Sequence, residues 1–337
     1  MSDARLRFGI LGTGNIANQF CNGVRTSRRC TLAAVGSRAD ASARAFGERF
    51  QIAAAHGSYE AMLKDPNVDA IYLSLPNSMH HEWTIRALEA GKHVLCEKPL
   101  AVNEREGREM FDAARRAKRV LVEAFMYVSH PQTHAYLKLV RDGAIGELKL
   151  VRTSFSYRTR NIVGNIRFDP KLAGGALMDV GCYCVHFSRL LAGQEPACVF
   201  ATSTMHESGV DIATAGTMKF PSGVLATFSC GMNVQCDNTA HVCGTEGYLE
   251  IGWPWKPPVK GATFTLAHSI PPRQDKGAAG SGPPPRQAFT VDAPGELYAL
   301  EADDFAATVL DGAAPRVTEA NSLGNLRVLD EMRRQIS

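Results

Sequence analysis

The stretch AGKHVLCEKPL, residues 90–100, ends an apolar run with a carboxylate, an ammonium and a proline ring at Glu97-Lys98-Pro99. A second set of reactive side chains lies in LAGGALMDVGCYCVHFSRLLAG, where Asp179, Tyr183 and His186 follow one another at offsets of four and three. On a helix those offsets bring all three to one face. Ammonium, carboxylate, phenol and imidazole are the groups that pass protons and stabilise a developing oxyanion. Each set also has a plainer reading. A lysine beside a proline is often a solvated turn residue, and the helix face can be a core stripe with an incidental aspartate. Glycines and a carboxylate opening a helix also fit ordinary capping.

The elements that carry Lys98 favour chemistry. RLRFGILGTGNIANQF passes from an apolar segment through glycines into a helical pattern. TLAAVGSR, DAIYLSLPN, HVLCEK and VLVEAF are further apolar runs; ADASARAFGERF, SMHHEWTIRALEAGK and NEREGREMFDAARRAKR are helical segments between them. Apolar runs without polar alternation, separated by helix-length segments, indicate a parallel sheet covered on both faces. Right-handed crossovers then give an α/β fold, a doubly wound Rossmann domain assigned to residues 1–125. In such sheets ligands bind beyond the carboxyl ends of the strands. Leu75, Pro76, Asn77, His80, Glu97 and Lys98 all fall there. Lys98 is thereby carried to the rim where a nicotinamide would lie, and Pro99 stiffens the turn by fixing a backbone dihedral.

Gly12-Thr13-Gly14-Asn15-Ile16-Ala17 fits G-x-G-x-x-A between strand and helix. Gly12 allows the tight turn, Gly14 lets the backbone approach a pyrophosphate, and Ala17 lets helix and strand pack closely. The N-terminus of the helix faces the anion, with Thr13, Asn15 and Ile16 completing the cradle. At the tip of the second strand, where an NAD enzyme usually offers a carboxylate, the chain has Ser37 and Arg38. A carboxylate would repel a ribose 2′-phosphate, whereas a guanidinium grips it with two hydrogen bonds. The expected cofactor is NADP, with NAD the alternative if Arg38 stacks on the adenine. Asp40 is expected to cap the following helix.

GILGTGNIA, LPNSMHHEWTIRALEAGKHVLCEKPLA and GGALMDVGCY together resemble the glucose–fructose oxidoreductase, inositol dehydrogenase and dihydrodiol dehydrogenase family, strongly over the first 200 residues. The resemblance implies an NAD(P)-dependent oxidoreductase of sugars, cyclic polyols or related carbonyl compounds. It implies a Rossmann domain followed by a second domain whose large open sheet binds substrate and makes oligomer contacts, so a homodimer or homotetramer is expected. It places Lys98 in the catalytic site and a proton-handling His or Tyr four residues after the aspartate, which here is Tyr183. A phenol ordinarily titrates near pH 10, so an adjacent ammonium is needed to favour phenolate. Lys98 is the expected partner, tuning Tyr183 and stabilising the oxyanion. Asp179 would orient the lysine or a substrate hydroxyl, and His186 is the competing acid–base group. The resemblance puts Arg158, Asn161 and Arg167 beside the substrate, with Arg160 in the same segment. Two departures reshape that pocket: Ile166 stands where relatives carry Trp, and Ala173 stands where they carry the first of three glycines.

Residues 126–337 form the expected second domain, of α+β type with a mostly antiparallel open sheet. SHPQTHAYLKLVRDGAIG reads as a helix and ELKLVRTSFSYR as a long strand. CVFATSTMH, ATAGTMKF, VLATFSCGMN and NTAHVCGTEGYLEIG follow as strands joined by short turns. SIPPRQDKGAAGSGPPPRQ, residues 269–287, reads as an exposed loop, and two helices close the chain.

Composition narrows the function further. A length of 337 residues allows two well-developed cores. A net charge of +3, with no basic run of the kind that tracks phosphates, argues against nucleic acid. Nine cysteines without CxxC or His-rich spacing argue for reduced thiols in a cytoplasmic protein rather than a metal site or disulfide framework. The apolar run near the N-terminus is too short for a signal peptide or membrane span. The expected partner is a small carbohydrate-like molecule. A nucleotide-sensing regulatory protein on the same fold is the alternative function, and the presence of Lys98, Asp179 and Tyr183 argues against it.

Overall fold

The computed structural model describes residues 5–268 and 284–336. Its first part alternates β1 (Leu6–Leu11), α1 (Asn15–Val24), β2 (Cys30–Gly36), α2 (Asp40–Phe50), β3 (Ala54–His56), α3 (Tyr59–Leu63), β4 (Ala70–Leu73), α4 (His80–Glu89), β5 (His93–Glu97), α5 (Glu104–Ala117) and β6 (Leu121–Ala124). The strands are parallel in the order β3-β2-β1-β4-β5-β6, the doubly wound arrangement expected from the unbroken apolar runs. β4 is buried along its whole length, because helices cover both faces of the sheet. β3 was not anticipated: three residues, Ala-Ala-His, carry no strand signal of their own and pair only because β2 offers an edge. Asp40 is not a cap. It occupies the first turn of α2, where its charge favours the helix dipole and pairs with Arg44 at 2.8 Å.

The second part contains α6 (Pro131–Arg141), β7 (Leu148–Ser156), α7 (Cys182–Ala192), β8 (Cys198–Met205), β9 (Asp211–Lys219), β10 (Leu225–Gly231), β11 (Thr239–Gly244), β12 (Gly247–Gly252), β13 (Ala262–His268), β14 (Arg286–Val291), α8 (Leu297–Asp311) and α9 (Glu319–Ile336). Its sheet has the order β14-β13-β12-β11-β7-β10-β9-β8 and is antiparallel except for the β7–β10 pair. Alternate residues point to the core, among them Val151, Val242, Leu249, Ile251 and Phe264. The sequence reading did not anticipate β13 and β14. β14 takes the last two residues of the expected Pro/Gly-rich loop, and residues 269–283 of that loop lie outside the described residues.

The last two helices return to the first sheet and tie the two halves together. Phe305 of α8 packs on Phe8 of β1, with ring centroids 5.7 Å apart. Burying such a side chain contributes about 2–3 kcal/mol. The α5 N-terminus is held by Asp330 of α9, whose Oδ2 accepts from Glu104 N at 2.9 Å. The strand ends of the first sheet therefore face the second domain across a braced junction. No helix among the described residues is long and apolar enough to cross a membrane.

Candidate active site

The glycine turn has the backbone a dinucleotide needs. Gly12 adopts φ +103°, and a Cβ there would lie 3.1 Å from Leu75 Cδ2. Gly14 precedes α1 with no side-chain cap, and the space its missing side chain leaves is open. Unpaired N–H groups at a helix start attract an anion, so the turn fits a diphosphate. Ala17 is fully buried against the sheet, while Thr13 and Ile16 are half-buried and Asn15 is exposed. At the tip of β2, Ser37 is buried, and Arg38 is exposed with its guanidinium beside the Tyr59 hydroxyl.

Beyond the strand ends an open cleft of about 590 Å³, solvent at its mouth included, runs between the two domains, with Ile16, Leu75, Lys98, Arg167, Gly174 and Asp179 among its walls. Its chemical centre is Asp179. Lys98 Nζ donates to the Asp179 main-chain oxygen at 2.6 Å and to Oδ1 at 3.2 Å. Arg167 Nε donates to Oδ2 at 2.9 Å, and the Tyr157 hydroxyl donates to the same oxygen. Burial alone would raise the pKa of this carboxyl, but Lys98 and Arg167 outweigh burial and hold it well below the usual range. Burial likewise opposes the charge on Lys98, and Asp179 reverses that, leaving the ammonium above its ordinary value. Both partners are therefore charged at neutral pH.

The glycines before this segment are required by contact. A Cβ on Gly174 would lie 2.2 Å from the Arg167 carbonyl oxygen, and one on Gly175, at φ +114°, would lie 2.2 Å from Asp211 Oδ1. Asp211 in turn accepts from Leu177 N at 2.7 Å. The chain then winds as a π-helical turn over Leu177–Gly181 before α7 begins. The wide turn interrupts the expected α-helical winding, yet Asp179 and Tyr183 both still meet Lys98, whereas His186 meets Tyr127. Asp179 points into the cleft, while Tyr183 and His186 point toward the core.

Tyr183 is 3% exposed, and its hydroxyl donates to Met126 Sδ at 3.2 Å. Phe125 and Phe155 meet its ring edge-on at 5.1 and 5.2 Å. Lys98 Nζ lies over the ring face, 5.1 Å from its centroid. Burial, then the charge of Glu97, push this phenol well above its ordinary value, the direction opposite to the expected shift toward phenolate. His186, the competing candidate, lies in the core. Its Nδ1 is 2.6 Å from the Tyr127 hydroxyl, its ring stacks on Phe125 at 4.3 Å, and burial brings its pKa down to about 3. It is a neutral core residue outside the cleft.

Asn77, His80 and Glu97, expected to touch the cofactor, line the cleft and also brace it. His80 is fully buried, with its ring nitrogens 2.9 Å from the Pro99 oxygen and 2.8 Å from the Leu75 oxygen, so it ties the ends of β4 and β5 together. The Glu97 carboxylate accepts from the Tyr72 hydroxyl and from Lys98 N. Asn77, beside Pro76 at the end of β4, donates from Nδ2 to the Ala173 oxygen at 2.9 Å, across the domain junction. Of the residues expected beside the substrate, Arg167 lines the cleft. Arg158 instead forms an isolated bridge with Asn233, and exposed Asn161 accepts from Asn165 through its main chain; neither is a cleft wall.

Sequence reasoning missed Tyr157, Met126 and Asp211. Each reaches the site only through tertiary packing, and none has a spacing that would single it out.

Comparison with known proteins agrees with this geometry. Residues 6–125 match the model described as oxidoreductase family, NAD-binding Rossmann fold, and residues 134–250 match the GFO/IDH/MocA C-terminal domain. The chain is 35% identical over 326 residues to D-xylose 1-dehydrogenase (NADP(+)) 2 of Haloferax volcanii, covering 96% of this chain and 95% of that one. It is 37% identical over 255 residues to mouse trans-1,2-dihydrobenzene-1,2-diol dehydrogenase, covering 75% and 76% of the two chains. Among solved structures, a 3-ketoreductase of Actinomadura kijaniata in complex with NADP and TDP-benzene superposes with a TM-score of 0.87 at 29% identity, covering 98% of both chains. An aldose–aldose oxidoreductase of Caulobacter crescentus complexed with glycerol gives 0.86 at 29% identity, covering 98% and 97%.

Proposed function

The chain belongs to the GFO/IDH/MocA oxidoreductase family, and from that membership we propose that it moves a hydride between NADP(H) and a carbon of a sugar, cyclic polyol or related carbonyl compound. When bound, the nicotinamide supplies or accepts the hydride. The observation that carries the reading is Lys98, whose ammonium stands 2.6 Å from the Asp179 oxygen at the end of β5, in the cleft that the glycine turn opens into. NADP is favoured over NAD by Arg38 at the tip of β2 and by the NADP-linked names of two similar proteins.

Lys98 would hold the substrate oxygen and stabilise negative charge developing on it. Asp179 keeps that ammonium charged and aimed, and Arg167 completes the clamp. Tyr183 retains its proton at neutral pH, and a thioether is a weak acceptor. Its ring lies against Lys98 at the cleft edge, and an incoming alkoxide is a far stronger acceptor, so the phenol would serve as proton donor in carbonyl reduction once its hydroxyl turns from Met126 to the substrate. The oxidation direction needs phenolate, which burial disfavours.

The test is turnover of NADPH and NADP⁺, each against NADH and NAD⁺, with aldoses, ketoses, inositols and trans-dihydrodiols, repeated with Lys98→Met. We expect one substrate class to turn over with NADP(H) and the variant to lose it while still binding NADPH. Binding of NADPH with no turnover across the panel would instead support a nucleotide sensor.

We further place the protein in the cytoplasm, in keeping with nine free cysteines. We assign self-assembly, as a homodimer or homotetramer, to the outer face of the second sheet, where Phe200 and Leu225 are 66% and 48% exposed. Light scattering on Phe200→Glu should report a smaller particle than wild type; an unchanged mass removes that face from the interface.

A further inference from the structure

Lys256 lies in residues 253–261, which join β12 to β13. The segment is fixed by Trp255, which is 2% exposed, donates from Nε1 to the Ser154 oxygen at 2.8 Å, and stacks on Phe155 at 5.5 Å. From this anchored base Lys256 crosses the domain junction. Its Nζ donates to Gln19 Oε1 at 3.3 Å, an oxygen that also accepts from the Tyr298 hydroxyl at 3.3 Å. Gln19 is on α1, one turn beyond Ile16, which lines the cleft. An ammonium of the second domain is thus held against the helix that the glycine turn opens.

The charges around it are unbalanced. Burial and the like charge of Lys98 disfavour the ammonium, Glu97 and Asp179 favour it, and Arg167 opposes it. Asp179, however, already serves both Lys98 and Arg167, and Glu97 is closed off by Tyr72 and Lys98 N. The side-chain partner left to Lys256 is a neutral amide oxygen. Lys256 is exposed, and an ammonium whose side-chain partner is only an amide gains from an arriving oxyanion, because charge-assisted hydrogen bonds are roughly twice as strong as neutral ones.

We propose that Lys256 is an oxyanion anchor supplied by the second domain to a ligand lying along the first turns of α1. The oxyanion has two possible sources: the diphosphate of the dinucleotide, or a carboxylate or phosphate on the substrate. The anchor rests on the hydride-transfer reading above, since both ligands belong to that reaction.

Lys256→Gln removes the charge and keeps an amide that can still hydrogen-bond; Lys256→Arg keeps the charge. NADPH affinity is measured by fluorescence titration without substrate, at low and high salt. KM is measured for a neutral aldose and for the corresponding uronate, with saturating NADPH. If the diphosphate is the partner, Lys256→Gln weakens NADPH binding about tenfold at low salt, less at high salt, and Lys256→Arg restores it. If the oxyanion is on the substrate, NADPH binding is unchanged while the uronate-to-aldose KM ratio rises about tenfold in Lys256→Gln alone. Equal NADPH affinity and an equal KM ratio in all three proteins overturn the anchor and leave the hydride-transfer reading intact. Failure of the wild-type protein to bind NADPH sinks both.

Discussion

Lys98 and Asp179 meet from different domains through two oxygens, the main-chain carbonyl at 2.6 Å and Oδ1 at 3.2 Å. The main-chain contact depends on the π-helical turn at Leu177–Gly181, and the side-chain contact on charge. Asp179→Asn should separate them. The carbonyl contact would remain, but Lys98 and Arg167 would lose their shared anion. Breaking a buried pair by removing one partner costs about 3–5 kcal/mol. We expect turnover to fall at least about a hundredfold, with a lower melting temperature and unchanged NADPH affinity. Wild-type turnover in Asp179→Asn would show that the ammonium needs no counter-ion to work.

Tyr183 and His186 make opposite predictions. Tyr183→Phe removes a hydroxyl whose partner is a thioether, so stability should change by less than about 1 kcal/mol. Carbonyl reduction should nevertheless slow by about a hundredfold or more. His186→Gln disturbs the Tyr127 contact in the core, so it should lower stability while leaving the pH profile of turnover in place. Near-normal reduction by Tyr183→Phe would move the proton to another donor.

Legibility in the sequence followed burial. β1, β2, β4, β5 and β6 could be read from the sequence because both faces of that sheet are covered, which forces unbroken apolar runs. β14 could not: it is an edge strand, Arg286–Val291, largely exposed, following prolines and carrying no periodic pattern. Lys98 and Asp179 stood out through their setting in strand-end and glycine motifs. Their partner Tyr157 did not, because it follows an ordinary strand and reaches Asp179 only when the two segments pack. The winding around Asp179 was misjudged for a similar reason. An α-helical count presumes regular winding, and contact between Asp211 and Leu177 N accompanies a wide turn that no local pattern announces.

Ala173 offers a stability test within the same segment. It sits at φ +55°, and its carbonyl accepts from Asn77 across the junction. The left-handed conformation costs an L-residue roughly 1–2 kcal/mol, partly offset by the greater unfolded-state freedom of glycine. Ala173→Gly should therefore raise stability by about 0.5–1 kcal/mol in urea denaturation, with the cleft unchanged. A loss of stability would mean that the methyl group contributes packing that outweighs the backbone cost.

Buried carboxyls give the protein a pH dependence that a single variant can isolate. Glu123 is 1% exposed at the end of β6, and burial lifts its pKa from 4.5 to about 7. Burial also raises Glu97 and, more strongly, Glu301. A carboxyl with a raised folded pKa binds its proton more tightly in the native state. Its contribution is thus fully present below about pH 4.5 and is lost as pH rises through about 7. For Glu123 the loss amounts to about 3 kcal/mol, at 1.36 kcal/mol per pKa unit. Histidines buried in the neutral form act in the opposite sense: His186, with a folded pKa of about 3, loses its contribution as pH falls below the ordinary value of 6.5. Asp179, held low by Lys98 and Arg167, loses its contribution only below the ordinary carboxylate value of 3.8. The informative quantity is therefore the difference between wild type and Glu123→Gln in urea denaturation at pH 5 and pH 8. The variant should lack the wild type's Glu123-linked loss, so its stability relative to wild type should rise between the two pH values. Equal pH dependence in the two proteins would show that Glu123 titrates as an ordinary carboxyl.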